Sequence, residues 1–364
     1  MANMKQIAEL AQVSLGTVSH VLNGTATVRD PLRKRVLDAV AAMGYQPSQL
    51  ARGLRRDKTN ILAMIIPDIL NPFFPGVVRG AEDVAFSNGY RLVLCNTDND
   101  HGKEVIHLNA LRTYLPSGLI VIPCDFSDLT AQTESYRQAG AAVVCIDRLP
   151  RNWEGDSVTI DNIEGAQNAT AYLIGLGHKH LAAIAGPLHL TNSQDRLKGF
   201  KRALRRGGIE IAPSYIQETT FDRNGGYSKT KILLKMLPRP TAILACNDLI
   251  ALGALLAIRE AGLHCPDDIS VIGFDGLDLT ETTTPQLSSV YQSPYQLGAA
   301  AAQLALDRVA SKTTPVRHLI LPTELKIRES VAPPPHAASH NGTQPAAIAQ
   351  SKSVSSRKSR TLVS

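Results

Sequence analysis

Residues 5–23 read KQIAELAQVSLGTVSHVLN, and the rest of the chain takes its meaning from them. Ile7, Ala8, Leu10 and Ala11 share one face of a helix, Val13 and Ser14 interrupt the spacing, and Val18, Val21 and Leu22 resume it. The pattern predicts two short helices joined by a tight turn. The Ser14 hydroxyl can cap the second helix, and the small Ala8 and Ala11 let the two cross closely. Laid in a DNA major groove, the second helix would offer Leu15, Gly16, Thr17, Ser19 and His20 to base edges and phosphates, with Asn23 at its end. Spacing by itself fits an ordinary pair of packed surface helices equally well.

The distribution of charge separates the two readings. Residues 1–60 carry nine Lys/Arg against four Asp/Glu, residues 333–364 carry four against none, and the stretch between has 25 against 28. Basic ends on a mildly acidic body suggest contact with nucleic acid through the ends. The N-terminal surplus also coincides with the helix pair, which a merely basic protein would not explain. The five cysteines, at 95, 124, 145, 246 and 265, form no CxxC pair, so metal or redox chemistry is not expected and free thiols in a reducing compartment are. No signal peptide precedes the first helix, and no apolar run approaches the ~20 residues that span a bilayer. A cytoplasmic protein without membrane contact is expected.

A third amphipathic helix follows, with Leu32, Val36, Leu37, Val40 and Met43 on its apolar side and Gly44 at its end. It closes a small three-helix head over residues 1–46. Residues 47–58 form a connecting segment in which SQLARGLRR allows a helix of only about two turns, marginal in water and weakened at Gly53 by about 1 kcal/mol relative to Ala. From Thr59 the period changes. Apolar runs at 61–66, 90–95, 118–122 and 142–146, then at 157–160, 181–185, 214–218, 242–245 and 269–274, alternate with helical stretches, the mark of parallel sheets covered on both faces. Two α/β halves are predicted within residues 59–332. Residues 333–364, rich in Ala, Ser, Pro and basic residues, are expected to be a disordered basic tail.

Matched as sequence, AELAQVSLGTVSHVLNG (8–24), VRDPLRKRVLDAVAAMGYQPSQLARGLRR (28–56) and TNILAMIIPDILNPFF (59–74) closely resemble the LacI/GalR family of bacterial transcription regulators. The resemblance runs from about Met4 to about Val331. It implies an all-α helix-turn-helix head followed by a periplasmic-binding-protein-like core of two doubly wound parallel-sheet halves. The chain would cross between halves near Asp161, Tyr291 and Leu321. It further implies that the hinge helix pairs with its twin across a homodimer and enters the minor groove. There Leu54 would wedge between base steps while Arg52, Arg55 and Arg56 neutralise phosphates. No leucine heptads follow the core, so a dimer is expected rather than a larger assembly.

Ligands of open α/β sheets lie beyond the carboxyl ends of the strands. There this chain places Asp68–Pro75, Asn96–Asp98, Pro123, Asp147 with Arg148, Asp161, Asn192–Arg196, Phe221 with Asp222, Asn247 with Asp248, and Asp275. Carboxylates and guanidinium groups read hydroxyl pairs, and aromatic faces cover a ring, so a sugar, sugar derivative or nucleobase fits. By resemblance, Arg196 in GPLHLTNSQDRLKGF is the ligand-gripping arginine, Phe221 contacts the ring, Asn247 and Asp248 stand in CNDLIALGAL, and Asp275 in VIGFDG is a polar contact. Phe73 and Phe74 match the aromatic pair that stacks on the base in purine-responsive members. Yet the arginine that reads the purine there is Leu190 here, and the neighbouring threonine is Asn192, so a carbohydrate or sugar acid is preferred over a purine.

Asp248 could equally cap a helix beginning at Leu249, and Asp68 and Asp98 could be turn residues. Trp153, in RNWEGD, reads as a surface or cleft-rim residue, and His178 and His180 in LGHKHLA as structural. GxGxxG, GxxxxGK[ST] and GxSxG are all missing. The expectation is therefore a non-enzyme without cofactor or metal, a dimeric regulator, most simply a repressor. It would bind a pseudo-palindromic operator under the control of a small cleft ligand. A carbohydrate hydrolase on the same fold is the alternative.

Overall fold

In this computed structural model, residues 3–23, 26–44, 59–125, 129–311, 313 and 315–335 are described. The hinge predicted at 47–58 and all of the tail beyond residue 335 lie outside them.

Three helices form the head: α1 (Met4–Ala11), α2 (Leu15–Asn23) and α3 (Asp30–Ala42). Asn3 caps α1 by accepting from the Lys5 and Gln6 amides, while Gln6 accepts from the Asn3 amide, a reciprocal capping box. Gln12, at φ 51°, ends α1, and Ser14 Oγ accepts from the Thr17 amide at 3.1 Å to start α2, as its sequence position predicted. Ile7, Ala8, Ala11, Val18, Val36 and Ala39 bury together. Arg35 Nη2 donates to the Gln12 carbonyl at 2.8 Å, tying α3 to the turn between α1 and α2. Leu10 and Leu37, assigned to apolar faces by spacing, are 56% and 48% exposed, because three short helices cannot cover both.

The remaining chain builds two six-stranded sheets. The first holds β1 (Thr59–Ile66), β2 (Arg91–Asn96), β3 (Pro116–Val121), β4 (Ala142–Ile146) and β5 (Asp156–Ile160), with β11 (His318–Leu321) at its far edge, in the order β11-β5-β4-β3-β1-β2. The second holds β6 (Leu181–Ala185), β7 (Ile216–Glu218), β8 (Ala242–Ala245), β9 (Ser270–Asp275), β10 (Ser288–Tyr291) and β12 (Glu324–Lys326), in the order β12-β10-β9-β8-β6-β7. All pairings are parallel except β10 with β12. The central strands are buried throughout, as unbroken apolar runs require.

The chain passes between the sheets at Asp161, between Tyr291 and Pro294, and between Leu321 and Glu324, matching the predicted crossings. Three strands escaped the hydrophobic pattern. SSVY in β10 is polar although buried, HLIL in β11 is an exposed edge, and ELK in β12 is a short polar edge.

Each lobe is covered by helices on both faces. In the first lobe α4 (Phe73–Ser87) lies against α11 (Pro294–Ala310), while α5 (His101–Arg112) and α6 (Thr130–Gln138) cover the other face. The second lobe uses α7 (Asn162–Gly175) with α8 (Thr191–Arg206), and α9 (Arg223–Leu233) with α10 (Asp248–Glu260). Trp153 is no cleft residue. Its Nε1 donates to the Asp156 carbonyl and its ring carries the Arg137 guanidinium at 4.9 Å. His178 is structural as read, with Nδ1 2.9 Å from Thr241 Oγ1 and Nε2 2.9 Å from the Ala332 carbonyl. No helix among the described residues is long and apolar enough to cross a membrane.

Helices α4 and α11 touch backbone to backbone: a Cβ on Gly298 would stand 1.8 Å from the Val77 carbonyl oxygen, and one on Gly80 2.0 Å from that of Tyr295. Replacing a mid-helix glycine by alanine ordinarily gains about 1 kcal/mol of helix propensity. Here the collision with backbone outweighs that gain. Gly298→Ala should destabilise the chain by a net of about 1–3 kcal/mol, seen as a fall in melting temperature. A rise would disprove the close approach.

Candidate functional site

The carboxyl ends of both sheets open onto one cavity of about 340 Å³. From the first lobe, Phe73 and Phe74 enter at the start of α4, with ring centroids 5.3 Å apart in an edge arrangement at 79°. Asn71 supports them by accepting from the Phe73 amide at 3.1 Å. Asp147 and Arg148 follow β4. From the second lobe come Asn192 and Arg196 of α8, Phe221 after β7, Asn247 after β8, and Asp275 at the end of β9. Phe221 can approach because residue 186 is glycine, where a Cβ would stand 2.3 Å from the ring.

Two of these aspartates share an unusual backbone. Asp147 has φ 64° and Asp275 φ 108°, in the left-handed half of conformational space that costs a side-chain-bearing residue energy. Each sits where its strand ends, so the strain turns a carboxylate into the space between the lobes. Both are buried, and burial pushes both carboxyls above the ordinary range, opposed by Arg148 and then Arg196 for Asp147, and chiefly by Arg196 for Asp275.

Arg196 is held on every side. Its Nε donates to Asn162 at 2.8 Å, its Nη1 to the Cys246 carbonyl at 2.6 Å and to Asp275 at 3.3 Å, and its plane lies 3.8 Å from the Phe274 ring centroid. Arg148 is the opposite case. It is 3% exposed, its Nη2 reaches Asn99 only at 3.4 Å, its Nε stands 3.8 Å from Asp147, and its buried Nε and Nη1 have no hydrogen-bond partner among the described residues. Ser193 Oγ and Gln292 Oε1 are likewise buried without a partner. Buried polar groups are nearly always satisfied, so a cavity edged by unsatisfied ones is shaped for a polar molecule.

Phe73, Phe74, Asp147, Arg148, Asn192, Arg196, Phe221, Asn247 and Asp275 line this cavity as expected, whereas Asp161 and Asp248 do not. The other two have different duties. Asp161 caps α7 at the first lobe crossing, accepting from the Glu164 amide at 2.8 Å. Asp248 is fully buried behind the cavity, where it accepts from Ser289 Oγ at 2.6 Å and the Leu277 amide at 2.7 Å; the cap of α10 is Asn247, whose Oδ1 accepts from Ile250. Asp68 and Asp98 do line the rim while also serving their turns. Gln292, absent from the sequence expectation, donates to Asp275 at 2.7 Å; it follows β10, whose polar SSVY carries no hydrophobic strand pattern. Asn99, His189 and Thr220 also reach the cavity.

In the head, Leu15, Gly16 and His20 are exposed on α2, whereas Thr17 and Ser19 are half-buried, Thr17 being engaged with Ser14. Asn23 ends α2. Arg52, Leu54 and Arg55 lie outside the described residues.

A three-helix head with an exposed second helix, joined to a two-lobed core open at its strand ends, defines a DNA-binding regulator with a periplasmic-binding-protein-like body. Residues 3–48 match the bacterial regulatory proteins of the lacI family, and residues 170–331 the periplasmic binding protein-like domain. The chain is 36% identical over 335 residues to the HTH-type transcriptional repressor PurR of Pasteurella multocida, covering 91% of this chain and 99% of that protein. It is 35% identical over 330 residues to the ribose operon repressor of Escherichia coli K12, covering 91% and 100%. Among solved structures it resembles the lac repressor dimer bound to operator and the anti-inducer ONPF, with a TM-score of 0.80 at 25% identity over 91% of this chain and 99% of that one. A LacI family regulator from Enterococcus faecium with bound ribose matches with a TM-score of 0.68 at 29% identity, over 75% and 99%. The chain belongs to the LacI family and is a DNA-binding transcriptional repressor of that family.

Burial raises the carboxyls of both Asp248 and Asp275, helped by the charge of Asp275 at Asp248 and by that of Asp147 at Asp275. A carboxyl raised in the folded chain contributes stability that is complete below the ordinary carboxylate range and is lost as pH climbs through its raised value. Without ligand, this pair should make thermal stability decline as pH rises from about 4 toward neutrality. Asp275→Asn should flatten that decline, and an unchanged slope would disprove the raised carboxyl.

Proposed function

We propose that this repressor is controlled by a small sugar bound between its lobes. Residues 1–46 serve as the DNA-reading head, 47–58 as the hinge, 59–332 as the effector-binding and dimerising core, and 333–364 as a basic tail. The observation that carries the reading is the buried, partly unsatisfied polar set around the cavity, above all Arg148 with two unpartnered donors beside Asp147. Hydroxyl groups can satisfy it and the three phenylalanines can cover a ring. The relatives named as ribose operon repressors and the ribose-bound neighbour support a sugar, beside other relatives named PurR.

Coupling follows from the way the lobes are joined. Besides the three crossings, Asn192 Nδ2 of the second lobe donates to Asp147 of the first at 3.2 Å, and the Leu149 amide donates to Thr191 Oγ1 at 3.2 Å. An effector competing for Asp147 and Asn192 shifts the balance between lobe orientations, and that orientation sets the spacing of the two hinges in a homodimer on a pseudo-palindromic operator.

Truncating Arg196 or Asp275 to Ala should abolish the response to the effector, because each removal leaves the opposite buried charge unmatched. Operator affinity of both variants, measured with and without sugar, also reports the sign of control. Tight binding in either condition means that the sugar is an inducer, weak binding that it is a co-repressor, and a full response in both variants defeats the site.

The head is tested separately. His20→Ala should relax base preference at one position of each half-site, at a cost of about 1–3 kcal/mol. Arg55→Ala should weaken all sequences alike and flatten the salt dependence by about one unit. Equal, sequence-independent losses from both would remove His20 as a reader.

A further inference from the structure

The hydrogen-bonding needs and the charge of the cavity select among sugars, and the inference drawn from them rests on the sugar reading above. Around the cavity stand five carboxylates, Asp68, Asp98, Asp147, Asp222 and Asp275, against two guanidinium groups. Each guanidinium already faces a carboxylate: Arg148 Nε lies 3.8 Å from Asp147, and Arg196 Nη1 3.3 Å from Asp275. Behind them are two more buried acids. Glu104, fully buried, accepts from the Cys124 amide at 3.0 Å, and Asp248 lies against the turn that follows Asp275. Among the described lining residues only His189, exposed at the rim, could add positive charge.

The unsatisfied atoms are of both kinds. Arg148 Nε and Nη1 require acceptors, whereas Gln292 Oε1 requires a donor. A carboxylate or phosphate on the ligand supplies acceptors only; it would serve Arg148 but set a like charge against Asp147 and Asp275 in a site shielded from water. An ammonium supplies donors only and would face Arg148 and Arg196. A hydroxyl both donates and accepts. The cavity, about 340 Å³, lies near the bottom of the ~300–1,000 Å³ range of small-molecule sites, which suits a single ring.

We propose that the effector is an uncharged monosaccharide, and that the fixed carboxylates of the cleft exclude sugar acids, sugar phosphates and nucleotides. Arg148 is the specificity-determining residue: its two free donors require acceptors, and Asp147 beside it admits only neutral ones.

Calorimetric titration of the full chain decides the matter, using D-ribose, D-xylose, D-glucose and D-galactose, then the phosphate ester of the tightest, then the corresponding uronic acid and its carboxamide. Hypoxanthine and guanine complete the panel. The acid and its amide share a shape and differ in charge. A neutral sugar should bind, with its phosphate ester and the uronate each at least ~100-fold weaker, and the amide should recover most of the uronate's loss. In the Asp98→Asn, Asp222→Asn double variant the ratio between amide and acid should narrow at low salt. If the uronate or phosphate binds as tightly as its neutral counterpart, the charge argument falls while sugar control stands. If a purine binds and no sugar does, or if none of the neutral sugars binds, both readings fall.

Discussion

A charge removed from water must be matched where it lies, and between these two lobes four of them meet. Asp147 and Arg148 come from one sheet, Arg196 and Asp275 reach the cavity from the other lobe, and each is at most 5% exposed. The desolvation of each ion costs several kcal/mol, recovered only through close partners and directed hydrogen bonds. Arg196 recovers it through Asn162, Cys246, Asp275 and the face of Phe274. Arg148 does so only in part. The protein therefore carries, at the junction of its lobes, a fold-stabilising fixture beside an unfilled demand, and occupancy of the cavity changes the energy of that junction.

The architecture around this junction holds each lobe together more closely than it holds the lobes to one another. Within each lobe the helices are locked by backbone contacts at Gly298, Gly199 and Gly253, where an added Cβ would meet a carbonyl oxygen at 1.8 to 2.3 Å. Between the lobes run three chain crossings and, across the cleft, bonds such as Asn192–Asp147 and Leu149–Thr191. Rigid bodies joined by few connections move as hinged units, so a ligand worth a few kcal/mol can bias their orientation.

Asp248 and Asp275 illustrate how little a residue's type says about its task. Both follow or end a strand of the second lobe, both are buried, and the charge of Asp275 helps to raise the carboxyl of Asp248. Asp275 faces the cavity because its backbone takes a positive φ at the strand end. Asp248 is one residue into a helix, and its side chain turns back to hold Ser289 and the Leu277 amide, bracing the turn that carries Asp275. One presents a charge to the ligand space; the other positions it.

Much of this was legible in the residues alone. The helix pair at 5–23, the cap at Ser14, the apolar runs of the central strands and the aspartates and arginines beyond them follow from local rules, because helical spacing, capping and buried parallel strands leave signatures within a few residues. Together with the family resemblance they located most of the cavity's charged and aromatic residues. What local pattern could not carry was decided by tertiary structure. Strand β10 is polar yet buried because it lies between β9 and β12, so Gln292 beyond it was invisible. Asp161 and Asp248 stand at strand ends like their neighbours, and only the direction of their side chains, set by the helices they begin, turns them from ligand space to structural bonds. Whether a guanidinium is satisfied depends on what faces it across some fifty or more residues of chain, from Asn99 to Arg148 and from Arg196 to Asp275. That is a property of packing, and it is what separates the gripped arginine from the one still waiting for a partner.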